Sequence, residues 1–584
     1  MVDTHRPRWA LSSLARLAEL ISIDGKPSGR YRSLREFDIR GGWDGGLLDT
    51  GPTMLRKTIK WIRRASIVLA IAAITFFAIR IYDIQRGPPL ARWHAYVPHE
   101  MRAKELDATD WNRYLAEEGR IFEQLRTEVT QKLDPDERVP INRYFDGSPV
   151  YPARFPQDFN RSFVLEPDGP PVGAVVLLHG LTDSPYSQRH IAKAYRDHGF
   201  VAIVIRLPAH GTVPAALTDV EWQDWSAATR LAVREARRRT SPSSPLHLVG
   251  FSNGGALALK YALDAIADPQ QARPDRLVLI SPMIGITRLA QFAGLAGLPA
   301  VLPPFAKAAW LAVLPEFNPF KYNSFPVNGA RQSHRLTRVL QAQIARQSRN
   351  GELARLPPIL TFQSVMDFTV STSAIISALY AHLPPNGSEL VLFDVNRTIK
   401  FGALLRPSAE TALTRLLPPE ARSYRTAIIT NAEVDSSETV ERTVEAGDTT
   451  EHTRMLGVNY PAGFYSLSHV ALPFPMNDAL YGLTPDPAED FGINLGALAP
   501  RGERNVLVAS LDALLRVASN PFFPYMIGRI EEGIDSRPAG VSEATGVSAP
   551  PPTSDLNGET SAWSFDELIK YLTQNRSDPS PEPP

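Results

Sequence analysis

The sequence predicts a doubly wound α/β fold, a mostly parallel sheet with helices on both faces. Two observations carry this expectation. Six short runs, "GAVVLLHG", "FVAIVIRLP", "LHLVGFS", "RLVLISP", "PPILTFQS" and "ELVLFDV", are continuously β-branched or aliphatic, as strands buried on both faces must be. Helical patterns accompany them: "SQRHIAKAYRDHG", "EWQDWSAATRLAVREARRR", "GALALKYALDAI" and "STSAIISALYAHL". Strand–helix alternation of this kind builds βαβ units. The chain has 584 residues, 43% of them hydrophobic, enough for one large domain with additions or for two to four small ones. Lys+Arg and Asp+Glu both number 62, a balance that argues against nucleic acid as a partner. There is no cysteine, so disulfides, thiol nucleophiles and Cys-ligated metals are excluded.

Taken in order, residues 1–60 form an N-terminal arm rich in basic residues near its end. Residues 61–84, "WIRRASIVLAIAAITFFAIRIYDI", predict one transmembrane signal anchor. Its uncharged stretch is short, but Arg64 and Arg80 can snorkel and Trp61 and Tyr82 suit the interface. With those flanks it reaches about 20 residues, enough for roughly 30 Å of hydrocarbon. Arg56, Lys57, Lys60, Arg63 and Arg64 crowd the upstream side, so the N-terminus is expected in the cytoplasm and the remainder on the outer side. Met54 opens a stretch that would serve as an ordinary signal-anchor start, so residues 1–53 are expected to be an extension or a poorly ordered arm.

Residues 85–159, charged and broadly helical over 103–132, predict a helical arm between membrane and domain. The α/β domain is expected over 160–534, with two interruptions. The first, 283–356, is apolar on more than one face and broken by prolines; the second, 396–459, mixes strand-like and polar pieces. From 535 to 584 the chain turns rich in Pro, Ser, Gly and Glu and is expected to be disordered.

The chemistry centres on "PLHLVGFSNGGALALKYAL". Gly250-Phe251-Ser252-Asn253-Gly254 fits G-x-S-x-G, with a strand running in and a helix running out. Small residues on both sides give clearance for a sharp turn that presents the hydroxyl. The emerging helix directs its unpaired amides towards Ser252, where an oxyanion would develop. A serine needs a base, and the base an orienting acid. Asp367, just past "PPILTFQS", is the first candidate acid, and Asp394, at the end of "ELVLFDV", the second. Three histidines lie downstream: His382, His452 and His469. His382 ends a helical run and His452 sits in a polar piece, which leaves His469, in "GFYSLSHVALPFP", as the expected base. The backbone amides of Asn253 and of Leu181, in "VVLLHGLTDSPYS", are the expected oxyanion donors. His179 is expected to hold that loop rather than to act as base. No metal or cofactor is called for: the upstream histidines show no ligand spacing, and no phosphate-binding glycine loop is present.

Together "VVLLHGLTDSPYS", "RLPAHG", "LVGFSNGG", "SVMDFTV" and "SLSHV" resemble the α/β-hydrolase superfamily, within it the bacterial carboxylesterase, monoacylglycerol-lipase-like and serine-aminopeptidase-like group. The resemblance covers roughly residues 160–530 less the two interruptions. It implies a Ser252–His469–Asp367 triad, an oxyanion hole from Leu181 and Asn253, and a helical lid at 283–356. Two departures stand out: Ala209 where such sequences commonly carry glycine, and a longer gap between Asp367 and His469. The expected activity is cleavage of carboxylic esters, with aliphatic or acylated substrates favoured by the apolar 283–356 segment. A peptidase or amidase on the same residues, or a non-catalytic envelope scaffold, are the competing expectations.

Overall fold

The computed structural model describes residues 51–285, 300, 303–367, 369–398, 412–417, 419–461, 464, 466–496 and 519–535. Residues 1–50 of the expected arm, and all but the first residue of the expected tail, lie outside the described residues.

Ten strands form one sheet: β1 Phe163–Leu165, β2 Gly173–Leu178, β3 Phe200–Ile205, β4 Leu246–Phe251, β5 Arg276–Ile280, β6 Ile359–Ser364, β7 Glu389–Phe393, β8 Arg425–Asn431, β9 Glu438–Val444 and β10 Glu451–Asn459. Their spatial order is β1-β3-β2-β4-β5-β6-β7-β8-β9-β10. β3 through β8 are parallel, while β1, β9 and β10 add to the two edges antiparallel. The continuous apolar runs have the cause expected of them. Along each strand alternate residues enter opposite layers: Val176 and Leu178 one, Val175 and Leu177 the other. Helices α4 Trp222–Arg239, α5 Asn253–Ala267 and α6 Val327–Arg349 cover the first face, α3 Arg189–Asp197 and α7 Phe523–Asp535 the second.

Helix α2, Trp111–Glu128, begins at Asp110, whose carboxylate accepts from the Arg113 amide at 2.8 Å. It does not stand off as a spacer. Trp93, Leu106, Trp111, Tyr114, Val129 and Tyr144 are buried in the same core as Val176 and Leu178. The apolar residues of the arm recur at helical spacing and meet the sheet, so residues 87–160 are a wall of the domain. Similarly, of the 396–459 segment the part over 425–459 supplies β8, β9 and β10, continuous with the sheet; residues 399–411 lie outside the described residues. Of 283–356, residues 286–299 and 301–302 lie outside them. The described part ends in α6, which lies on α5: Gln347 donates to the Leu263 carbonyl at 3.0 Å and Gln343 to Asp264 at 2.9 Å.

The expected anchor falls inside one continuous helix, α1, Gly51–Arg86. Trp61, Leu69 and Ile74 on it are about 70% exposed, at 69%, 70% and 68%. Taken over the described residues, no helix is long and apolar enough to cross a membrane; within 65–82 the side chains at 73, 76, 77, 80 and 81 are outside that description.

Candidate active site

The sheet order reverses between β2 and β4: β2 leads to β3 on one side, and β4 returns on the other. Loops leaving the carboxyl ends at such a point diverge and leave a crevice. β4 ends there at Ser252, whose φ of 55° and ψ of −114° make the strand turn at once into α5. The turn works only with glycine beside it. A Cβ on Gly254 would lie 2.1 Å from the Leu178 carbonyl oxygen, and one on Gly250 2.4 Å from that of Gly254. The strained serine is held at both ends: its amide donates to Ile280 O and its carbonyl accepts from the Met283 amide, each at 2.9 Å.

The structure brings Ser252, Asp367 and His469 together. His469 Nε2 lies 2.9 Å from Ser252 Oγ, and His469 Nδ1 2.8 Å from Asp367 Oδ2. With Nδ1–H donating to the carboxylate, Nε2 is the nitrogen left to accept the serine proton. Asp367 follows β6, where its other oxygen accepts from the amides of Thr369 and Val370 at 2.8 and 3.0 Å. Burial works to raise the Asp367 pKa, but His469 and those amides outweigh it and hold the carboxyl below its ordinary value. The His469 loop is fixed from the sheet. Ser364, the last residue of β6, donates to Leu467 O at 2.9 Å, and Asn396, past β7, donates to Phe464 O at 2.7 Å. Phe251 stacks on the imidazole with centroids 5.3 Å apart.

The competing residues lie elsewhere. Asp394 is buried against Arg397 at 2.6 Å and Thr430 at 3.0 Å. His382 is near Ser348 on the surface, and His452 sits on β10, opposite Thr443. His179 braces the loop that carries Leu181: Nε2 accepts from the Leu207 amide at 3.0 Å and Nδ1 donates to Gly180 O at 2.9 Å. Burial, with His210 beside it, pushes its pKa well below the usual value, so the ring is neutral.

A cavity of about 410 Å³ opens on Ser252 and His469. Leu181, Phe251, Met283, Phe325 and Val470 give it apolar walls, with Lys321 and Asp183 at its border. Leu181 thus reaches the same space as the serine, and Asn253 is the first residue of α5, where the amides have no partner within the helix. Asn253 is itself fixed by Ser333 of α6 at 3.2 Å. The supporting residues Gln363, Ser364 and Ser333 carry no motif. Their part depends on position at a strand tip or on a helix 80 residues away, which the local sequence does not signal.

Comparison with known proteins bears on the fold. The model of the alpha/beta hydrolase fold matches residues 173–356. The chain has an α/β-hydrolase fold. The match takes in Ser252 and the loop of Leu181 but stops before Asp367 and His469, which therefore stand on the geometry above. A thermostable monoacylglycerol lipase from Bacillus sp. (strain H-257) is 26% identical to this chain over 245 residues, 41% of this chain and 84% of the relative. Among solved structures, one from work on LipS and LipT, two metagenome-derived lipolytic enzymes, is 21% identical, covers 41% of this chain and 88% of its own, and has a TM-score of 0.32. A soluble variant of monoglyceride lipase from Saccharomyces cerevisiae, in complex with a substrate analog, is 14% identical over 40% of this chain and 81% of its own, with a TM-score of 0.31.

Proposed function

We propose that the chain is a serine hydrolase of carboxylic esters, acting through an acyl-enzyme on Ser252. The observation that carries this is the hydrogen-bonded series Asp367–His469–Ser252, built from three loops at the carboxyl ends of the strands. His469 Nε2 takes the Ser252 proton as Oγ bonds to the ester carbonyl carbon. The carbonyl oxygen becomes an oxyanion, received by the backbone amides of Leu181 and Asn253 at the positive end of α5. The tetrahedral adduct collapses with loss of the alcohol, which takes its proton from His469. Water then repeats the sequence: His469 removes its proton, the hydroxide adds to the acyl carbon, and Ser252 leaves with that proton. Asp367 holds the Nδ1 tautomer and balances the imidazolium.

The apolar cavity walls and the relationship to a monoacylglycerol lipase favour an aliphatic or acylated, lipid-like ester. The 283–356 segment, with α6 behind the cavity, acts as a lid over it. Helix α1 is a single membrane anchor, with the N-terminus cytoplasmic and the hydrolase domain outside. The exposed apolar side chains Trp61, Ile62, Val68, Leu69, Ile71 and Ile74 and the basic residues upstream support it. The deciding experiment is labelling with a fluorophosphonate together with turnover of p-nitrophenyl acyl esters. Wild type should be labelled and active and Ser252→Ala neither. An unlabelled wild-type protein without ester turnover would leave the fold as a scaffold, and preference for an aminoacyl amide would move the activity to a peptidase.

A further inference from the structure

Outside the site, one buried charge in the domain is Arg206, which follows β3 directly. Its guanidinium is 1% exposed and meets two carboxylates of the arm. Nη1 and Nη2 donate to the two oxygens of Glu100 at 2.8 and 3.0 Å, and Nε donates to Glu118 at 3.0 Å. Arm and loop are tied again through the backbone. Tyr114 donates to Arg206 O at 2.6 Å, and the Arg206 amide donates to Ser162 Oγ at 2.8 Å. Ser162 in turn donates its amide and hydroxyl to Glu118. Two carboxylates around one guanidinium in a dry core are costly to keep for packing alone.

What they hold lies beside the oxyanion loop. Arg206 Nη1 donates to His210 O at 3.0 Å, bracing the turn at 206–210. That turn carries Ala209 at φ 69°, a left-handed conformation that a residue with a Cβ resists. The next amide, Leu207, is the donor to His179 Nε2, and His179 holds Gly180 O, one residue before Leu181. An unbroken series therefore runs from the arm carboxylates through Arg206, Leu207 and His179 to the amide that would receive the oxyanion.

We propose that Glu100, Glu118 and Arg206 are positioning residues for the oxyanion hole, so that the arm at 87–160 completes the active site rather than tethering it. This rests on the ester-hydrolase reading above. Misplacement of an oxyanion donor by a fraction of its bond length acts on the transition state more than on the bound ester. Loosening the series should accordingly lower kcat and leave KM nearly unchanged.

The test uses the full chain, with active sites counted by fluorophosphonate titration run to completion. Glu118→Gln and the Glu100→Gln/Glu118→Gln double variant are compared with Val129→Ala, which removes buried arm volume away from the series. The double variant should lose roughly tenfold or more in kcat per titrated serine, with KM within about twofold. Glu118→Gln should show a smaller loss of the same kind, and it is the readout if the double variant does not fold. Val129→Ala should lower Tm and keep kcat per titrated serine. Unchanged kcat per serine in the Gln variants, or an equal loss in Val129→Ala, would overturn the proposal. Absence of wild-type labelling and turnover would instead overturn the ester-hydrolase reading.

Discussion

At the scale of single residues, the proposed chemistry turns on which group can take a proton from Ser252. His469 is the only histidine among the described residues with a ring nitrogen in hydrogen-bond reach of that hydroxyl, at 2.9 Å. Ser252→Ala and His469→Ala should each cost roughly a thousandfold or more in kcat, and the double variant should be little worse, because the three groups act as a unit. Steady-state kinetics on the three variants checks this; additive losses would separate the histidine from the serine's chemistry. Most of this was legible in the sequence. The glycines around Ser252 announced the turn, and His469 followed from eliminating a helix-end and a polar-segment histidine. Arg206 was not legible, because its partners lie 106 and 88 residues upstream and nothing in "VIRLPAHG" points to them.

At the scale of elements, the strand-to-helix turn depends on atoms that cannot yield. A methyl at position 254 would meet two backbone carbonyls, Leu178 O at 2.1 Å and His179 O at 2.7 Å. Gly254→Ala should destabilise the domain by about 1–3 kcal/mol and reduce activity as β2 and α5 move apart, measurable by urea unfolding and ester turnover. The strands legible from sequence were those buried on both faces. β9 and β10 were harder because edge strands keep a solvated face: β10 is exposed along most of its length, and its Glu, His, Thr and Arg residues read as a polar insertion. The arm was obscured in the same way, its charged surface hiding the buried stripe of Trp111, Tyr114, Ile121 and Phe122. Removal of residues 1–86 should leave a soluble, active domain. Removal of residues 1–160 should yield insoluble protein, since it strips Glu100, Glu118 and the arm's share of the core. Expression and gel filtration of the two truncations distinguish them.

At the scale of the whole molecule, acid should act through buried neutral histidines. Burial pushes His94 and His247 down to about 3 and His210 to about 4, and His179 well below its usual value. Each therefore binds a proton more readily in the unfolded chain, near pH 6.5, than in the folded one. Their stabilising contribution is complete above about pH 6.5 and is lost progressively as pH falls towards the folded values. Each histidine should take away about 1 kcal/mol per pH unit within that window. Denaturant midpoints between pH 7 and 5 should fall steeply, and His247→Gln should flatten the fall by one histidine's share. A flat profile in wild type would mean that these rings are protonated in place.

The distance along the chain between Ser252 and His469 has a consequence in time. The two are 217 residues apart, and Glu100 is 106 residues from Arg206. Contacts of such long separation close late, because loop-closure entropy must be overcome before they form. During synthesis the arm emerges first yet cannot bury its stripe until β3 follows, and the hydroxyl at 252 emerges well before any base can reach it. A partly made chain thus carries a serine without reactivity, and the appearance of fluorophosphonate labelling should mark the last stage of folding rather than an early one.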